Sequence, residues 1–176
     1  MLQEYNLQLK FVPISIRKIM KEMDNIPFPP SKKPKVQHMW RDIERRAKYY
    51  GISIPKVPAP YPLKNFDLAN QVGVVANTEG WFLDYLETTY SLWFLKGLEA
   101  GSNENLSQVF SLLNKNASDV ISRATMASTI QIYEHNTELA KSHGVFGVPT
   151  FSIGKEIFWG DDRFEDAIRF LAQSDV

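Results

Sequence analysis

The chain has 176 residues, and its 20 lysines and arginines balance its 20 aspartates and glutamates. This balance gives no reason to expect a nucleic-acid partner or binding to an anionic membrane surface. The sequence has no cysteine, which excludes disulfides, thiolate zinc sites and a cysteine nucleophile within it. No apolar run approaches the roughly 20 residues of a membrane helix, and the N-terminus lacks the layout of a signal peptide. These features predict a cytoplasmic protein.

The sequence also lacks the common signatures of metal and phosphate sites. Its three histidines, His38, His135 and His143, are far apart in the chain and do not show a metal-ligand spacing such as H-x-x-x-H. There is no P-loop, no G-x-G-x-x-G motif and no internal repeat. A metal site is therefore not expected.

The first part of the chain predicts a strand followed by helices. Residues 7–14, LQLKFVPI, alternate apolar and polar side chains, which is typical of a strand with one buried face. A short helix is predicted within residues 14–23, and an exposed proline-rich loop at 24–35. Residues 36–52 place apolar side chains on one helical face, with Gly51 at the position of a C-cap.

The middle of the chain predicts five more helices. Proline-rich residues 53–63 precede helices at 65–77 and 79–98, and the second of these is apolar on most sides, which predicts a buried central helix. Two short helices are predicted, one in NENLSQVFSLLNK, which starts with an Asn/Ser-type cap, and one in NASDVISRA. Residues 127–144 form a long amphipathic helix that ends at Gly144.

The pattern changes at residue 149. PTFSIG and EIFWG are two short runs of β-type residues around Gly154-Lys155, which predicts a hairpin. Asp161 can cap the final helix, DRFEDAIRFLAQ. The order strand, helical block, hairpin, helix predicts an α/β domain. Residues 1–15 and 145–176 form one subdomain in this interpretation, and residues 16–144 form a linker loop and a helical insertion.

The motif VFGVPT at 145–150 and the motif WGDDR at 159–163 resemble the DsbA-like branch of the thioredoxin superfamily. More narrowly, the chain resembles the 2-hydroxychromene-2-carboxylate isomerases and their relatives, the kappa-class glutathione transferases. The resemblance covers nearly the whole chain, including the spacing of Lys35, Met39 and Asp42 and the YGI that ends the first long helix. It implies a thioredoxin-like sheet with a large all-helical insertion.

The resemblance implies a glutathione site around the hairpin. It implies that the Val148–Pro149 bond is cis and that the backbone of Val148 pairs with a peptide ligand as an added strand would. It places the γ-glutamyl end of glutathione at Asp161 and Asp162, and it gives Trp159 a place in the pocket wall. The residues alone leave two alternatives open: an ordinary trans proline, and an Asp161 that only caps the helix.

Other residues carry over from the same resemblance. Lys35 matches the lysine that reaches the glycine carboxylate of glutathione, and Asn25 falls in the loop where kappa-class members place an asparagine near the ligand. Asn65 matches the asparagine of the isomerases' P-x-N step, where it either contacts substrate or caps the following helix. Arg163 is expected to brace an aspartate or the hairpin.

In the family, a first strand and a serine-containing turn precede the first helix, and the serine hydroxyl stabilises the glutathione thiolate. MLQEYNLQLKF matches the end of that helix and the second strand. The resemblance therefore implies a catalytic serine upstream of Met1, in a segment on the order of 25 residues long. Ser15, Ser31 and Ser53 all follow the second strand and do not match it.

The function implied by the resemblance is glutathione-dependent cis/trans isomerisation of aromatic enone acids by reversible thiol addition. The alternatives are a kappa-type glutathione transferase and, if Met1 is the true start, a non-catalytic glutathione- or peptide-binding domain. The resemblance also implies a homodimer. A thiol-disulfide oxidoreductase is excluded for this sequence because it lacks cysteine.

Overall fold

The computed structural model describes residues 7–25, 29 and 31–173, which form eight α-helices and one β-hairpin. A short 3₁₀ helix at Asp161–Arg163 leads into the last α-helix. In chain order the elements are α1 (Ile16–Glu22), α2 (Lys33–Tyr49), α3 (Phe66–Thr78), α4 (Phe82–Lys96), α5 (Asn103–Leu112), α6 (Ala117–Ala124), α7 (Ala127–Ser142), β1 (Thr150–Ile153), β2 (Glu156–Trp159) and α8 (Phe164–Gln173).

The chain divides into two compact units. The first holds residues 1–25 and 133–176, and the second holds residues 26–132. α1, the hairpin and α8 lie in the first unit, α2 to α6 lie in the second, and α7 runs through both. The subdomain division at 1–15 with 145–176 stays a prediction, because a compact unit and a fold subdomain are different divisions of a chain.

The predicted hairpin is confirmed. β1 and β2 pair antiparallel, with Thr150 opposite Trp159 and Ile153 opposite Glu156. Gly154 has a φ of 59°, a conformation that glycine adopts without the steric cost of a side chain, and this allows the two-residue turn. Aromatic pairs attach α8 to the strands: Phe151 packs on Phe164 with ring centroids 5.0 Å apart, and Phe158 packs on Phe170 at 5.6 Å.

The strand predicted at residues 7–14 is wrong, because residues 7–15 form no strand and the sheet of the described residues contains only β1 and β2. Side chains of α7 bind this segment instead of a neighbouring strand. The Ser15 backbone N–H donates to the Thr137 hydroxyl (2.9 Å), and the Asn136 side-chain amide donates to the Pro13 carbonyl (3.2 Å). Alternation of apolar residues predicts a buried face, but a strand also requires a hydrogen-bonded neighbour.

Ion pairs add to the attachment of α1 to α7 within the first unit. Lys18 Nζ lies 2.8 Å from Glu138 Oε1, and Lys141 contacts the carboxylates of Glu22 and Glu138. All four side chains are about half exposed. The short helix α1, predicted from the sequence and confirmed here, is therefore held by both polar side chains and exposed charges.

Most of the apolar core of the second unit comes from α3, α4, α5 and α6. Its buried members are Val72, Val75, Ala76, Trp81, Tyr85, Leu92, Leu106, Val109, Phe110, Val120 and Ala124. The two predicted short helices are confirmed, and the cap of α5 lies one residue before the predicted stretch, at Ser102. Ser102 Oγ accepts from the Asn105 backbone N–H (3.1 Å), and Asn116 Oδ1 accepts from the Asp119 backbone N–H (3.0 Å).

The structure corrects the prediction for α4. Tyr85, Thr89 and Leu92 form one buried stripe, while Leu83 and Tyr90 are exposed, so α4 is not a helix buried on all sides. Its outer aromatic side chains pack against one another instead of entering the core. For example, Tyr90 and Trp93 have ring centroids 5.7 Å apart. The apolar character of α4 is thus divided between the core and a surface cluster.

α2 begins earlier than its apolar periodicity indicates. It starts at Lys33 and takes in Pro34, because a proline in the first helical turn removes an N–H that has no helical partner there. Lys35 is consequently helical, and the predicted loop at 24–35 is shorter at its end. Residues 26–28 and 30 of that loop lie outside the described residues.

In the part of the chain that the structure describes, none of the helices combines the length and apolar character needed to cross a membrane.

Candidate functional site

The loop before the hairpin carries the Val-Pro step. The Val148–Pro149 peptide bond is cis, which confirms the prediction and excludes the trans alternative. Hydrogen bonds hold the loop on both sides of the step: the Gly160 N–H donates to the Pro149 carbonyl (3.0 Å), and the Thr150 hydroxyl donates to the Gly147 carbonyl (2.7 Å). Val148 is 50% exposed, so the braced loop presents this residue at the surface.

The main chain of Val148 has open hydrogen-bonding groups. Within residues 7–25, 29 and 31–173, neither its N–H nor its C=O takes part in a hydrogen bond. An extended peptide can satisfy both groups with one of its own residues, as an added strand does. Val148 is therefore available for the role that the family resemblance gives it.

An exposed aromatic pair lies next to this step. Trp159 at the end of β2 is 54% exposed, and its ring centroid lies 5.0 Å from that of Phe146. The indole rests directly on the backbone of Gly147, where an added Cβ would lie 2.8 Å from Trp159 Cε2. Gly147 is therefore required for this close approach, and the indole forms part of the wall beside Val148.

The WGDDR motif folds back on itself. Gly160 has a φ of 121°, and a Cβ at this position would lie 2.5 Å from Asp162 Oδ1, so the carboxylate of Asp162 lies against the glycine. Asp161 is the first residue of the 3₁₀ helix, and Gly160 occupies the N-cap position. Asp161 is thus not the N-cap of this 3₁₀ helix, and its capping role at the start of the final α-helix stays a prediction.

Arg163 braces an aspartate, as predicted. Its Nη1 donates to Asp166 Oδ2 at 2.9 Å, and its Nε lies 3.9 Å from Asp162 Oδ2. Hydrogen bonds from Arg163, and secondarily from Arg169, hold the pKa of Asp166 below its ordinary value. Since Arg163 makes its short contact with Asp166, the carboxylate of Asp162 is only weakly paired and lies half exposed at the surface.

Lys35 and Asn65 lie in the second unit. Lys35 occupies the first turn of α2 and is exposed. Asn65 stands at the N-cap position of α3, but its side chain makes no capping hydrogen bond. The alternative that Asn65 merely caps α3 is therefore wrong, and its exposed amide has no hydrogen-bond partner among the described residues.

Asn25 follows the end of α1 in the first unit. Its backbone N–H donates to the Met20 carbonyl (2.8 Å), and the residue is exposed. Residues 26–28, which follow it, lie outside the described residues. The ligand role predicted for Asn25 stays a prediction.

The structure brings one predicted group together within the first unit: Val148, Pro149, Trp159, Asp161 and Asp162. The hairpin register already contained this information, because a two-residue turn at 154–155 sets Trp159 opposite Thr150.

Phe146 and Gly147 also belong to this surface, although they were not among the predicted site residues. A signal was present, since both residues directly precede the Val-Pro step that was singled out. The contact of the indole with Gly147 depends on a side-chain direction that the register does not give.

Among the described residues, no group of three or more histidine, aspartate or glutamate side chains is placed to hold a metal ion.

Comparisons with known proteins identify the family and the fold. Residues 1–172 match the family described as DSBA-like thioredoxin domain. A curated 2-hydroxychromene-2-carboxylate isomerase from Pseudomonas putida is 24% identical over 162 residues, which span 92% of this chain and 78% of the relative.

A solved structure of selenomethionine-labelled 2-hydroxychromene-2-carboxylate isomerase superimposes with a TM-score of 0.79 at 24% sequence identity. The match covers 98% of this chain and 85% of the other. The predicted DsbA-like thioredoxin fold is confirmed, and so is the predicted resemblance to these isomerases, at low identity.

Proposed function

Because the chain belongs to the DSBA-like thioredoxin domain family, we propose that it is an isomerase of a small aromatic enone acid and uses glutathione as cofactor. The similarity to the P. putida isomerase supports the isomerisation. The observation that carries the glutathione proposal is the pair of open N–H and C=O groups on Val148. Val148 is next to Pro149, whose carbonyl accepts from the Gly160 N–H. This hydrogen bond joins the loop to the segment that carries the two aspartates.

In this proposal the residues of the first unit recognise a short, charged peptide. The main chain of Val148 pairs with the cysteinyl residue, which places the ligand along the loop. The α-ammonium of the γ-glutamyl group lies at the carboxylate of Asp162, and Asp161 adds a second negative charge. Trp159 and Phe146 cover one side of the peptide with apolar surface and exclude water there.

When bound, glutathione supplies a thiol that adds reversibly to a conjugated carbon–carbon double bond, so that the bond can rotate. The chain's own residues bind and orient the peptide, which holds the reacting groups in a productive geometry. We propose Asn65 as a hydrogen-bond donor to an oxygen of the substrate that gains negative charge. No residue of this sequence is proposed to activate the thiol. The ligand role of Lys35, the cytoplasmic location and the homodimer stay predictions.

We favour isomerisation over the kappa-type transfer reaction because the curated relative and the solved structure are both isomerases. The two reactions differ in their use of glutathione. Isomerisation returns the thiol after each turnover, whereas conjugation consumes it. Incubation with 2-hydroxychromene-2-carboxylate and a limiting amount of glutathione separates them: continued turnover after one equivalent supports the isomerase.

The glutathione site is tested with Asp162→Ala. Removing a half-exposed carboxylate from an ion pair should weaken glutathione binding about fivefold in isothermal titration calorimetry. Glu165→Ala is the matched control, because Glu165 is also a largely exposed acid, at the start of α8, and its removal should leave the affinity unchanged. Equal affinities of Asp162→Ala and the unaltered protein would remove Asp162 from the proposed site.

A further inference from the structure

The segment between α2 and α3 is fastened to α4 and the turn after it at three points. The Lys56 N–H donates to the Phe94 carbonyl (2.8 Å), and Trp93 Nε1–H donates to the Pro60 carbonyl (2.8 Å). The Lys64 N–H donates to Glu99 Oε1 at 2.5 Å. Residues 56–64 form no helix or strand of their own. The three hydrogen bonds fix the path of their backbone to Asn65.

The turn after α4 also touches Asn65 itself. Gly101 packs against the Asn65 carbonyl so closely that an added Cβ would collide with it and would lie 3.1 Å from Ala69 Cβ. The same carbonyl accepts from the Ala69 N–H (3.1 Å), and the Tyr85 hydroxyl donates to the Ala69 carbonyl (2.8 Å). The backbone at Asn65 is consequently held from two sides, although its amide has no protein partner among the described residues.

The turn is itself anchored by a buried side chain. Asn105, fully buried at the start of α5, donates through Nδ2 to the Leu98 carbonyl (3.1 Å) and to the Thr89 carbonyl (3.4 Å). Buried polar side chains that satisfy backbone carbonyls in this way fix a single conformation. Glu99, which lies between Leu98 and Gly101, therefore projects from a rigid turn.

We propose that Glu99 is a positioning residue for Asn65: its carboxylate fixes the Lys64 N–H and thereby the place of the Asn65 amide against the substrate. This inference rests on the proposed function, in which Asn65 contacts the substrate. Of the three attachment points, the one next to Asn65 uses a side chain of the turn: the Glu99 carboxylate accepts from the Lys64 N–H. An amide donor displaced by about 1 Å stabilises a developing oxyanion far less well.

The experiment compares Glu99→Ala with Glu99→Gln in the full chain. Amide hydrogen exchange at Lys64, followed by NMR, should speed up about tenfold in Glu99→Ala, because the hydrogen bond is lost. It should stay close to the original rate in Glu99→Gln, whose amide keeps an acceptor oxygen. Glu87→Ala, an exposed acid on α4, is the matched control and should change nothing. Unchanged exchange in Glu99→Ala would overturn the proposal.

Activity provides the second readout, with 2-hydroxychromene-2-carboxylate and glutathione. We expect Glu99→Ala to lower kcat about tenfold with little change in KM. It should have no further effect in an Asn65→Ala background, since Glu99 acts through Asn65. An independent, additive loss in the double variant would overturn the proposal.

The proposed function can fail separately. If the unaltered protein does not isomerise the substrate, that function is wrong, and the exchange rate of Lys64 and the side-chain amide signal of Asn65 still decide whether Glu99 holds Asn65 in place. A sharp Asn65 signal that stays unchanged in Glu99→Ala would show that it does not.

Discussion

The shape of the surface around the Val148–Pro149 step depends on one missing atom, the Cβ of Gly147. The indole of Trp159 can lie against the chain only because Gly147 has no Cβ. This contact turns an exposed tryptophan into a wall beside the open main-chain groups of Val148. Position 147 therefore requires a residue without a side chain, whatever its burial.

We therefore expect Gly147→Ala to displace Trp159, because the new methyl group would occupy the space of the indole. The measurement is the indole N–H cross-peak of Trp159 in a two-dimensional NMR spectrum, assigned by its loss in Trp159→Phe. Gly147→Ala should shift this peak and leave the buried Trp81 unaffected. Ser152→Ala, an exposed change in the same hairpin, serves as the control. A Trp159 peak that does not move in Gly147→Ala would contradict the close packing.

At the scale of elements, apolar periodicity and capping residues predicted the helices well. The ends of α5, α6 and α7 follow from Ser102, Asn116 and Gly144, because the signals that stop or start a helix are local. The strand at 7–14 could not be predicted correctly, since its pattern does not reveal whether a neighbouring strand exists.

The same limit applies to the candidate site. The Val-Pro step and the two aspartates were visible as motifs because each lies in a short stretch. The hydrogen bond between Lys64 and Glu99 joins residues 35 positions apart, and only the packing of α3, α4 and α5 brings them together. Likewise, an asparagine before a helix predicts a cap, and its open amide becomes evident only in three dimensions.

Helix α5 allows the contribution of core packing to be measured within one element. Leu106 is 1% exposed, whereas Leu112 is 63% exposed. Leu106→Ala should lower the free energy of unfolding by about 3 kcal/mol through lost burial and a cavity, and Leu112→Ala by less than about 0.5 kcal/mol. Urea titrations followed by circular dichroism give both values. Similar losses for the two variants would contradict the assignment of the core.

At the scale of the whole molecule, the titrating groups define a pH range of stability. Hydrogen bonds from Lys18 and Arg163 lower the pKa values of Glu138 and Asp166 in the folded state. The unfolded chain then binds more protons than the folded one at acid pH, so stability declines as the pH falls below about 4.5. Burial raises the pKa of Tyr85. The unfolded chain therefore loses this proton first, and stability declines as the pH rises above about 10.

The prediction is that the free energy of unfolding, measured by urea titration from pH 3 to pH 11, is highest between these limits. Glu138→Gln should flatten the acid side, and Tyr85→Phe should flatten the alkaline side. Tyr85→Phe is the control for the acid side, because it alters no group that titrates there. Glu138 also raises the pKa values of Lys18 and Lys141, so the alkaline side of Tyr85→Phe is compared with the unaltered protein. An alkaline decline of the same steepness in Tyr85→Phe would show that burial of this phenol is not its cause.

The attachment of residues 56–64 to α4 also bears on how such a protein can evolve. On the side of this segment, the three attached groups are main-chain atoms: the N–H of Lys56, the C=O of Pro60 and the N–H of Lys64. Exposed side chains of the segment, such as Lys56 and Lys64, can thus drift between lineages without breaking these hydrogen bonds, whereas the buried Ala59 and the partners Trp93 and Glu99 cannot. Neutral drift here would reshape the surface leading to Asn65 and leave the helical scaffold as it is, which is a route by which one fold acquires new substrates.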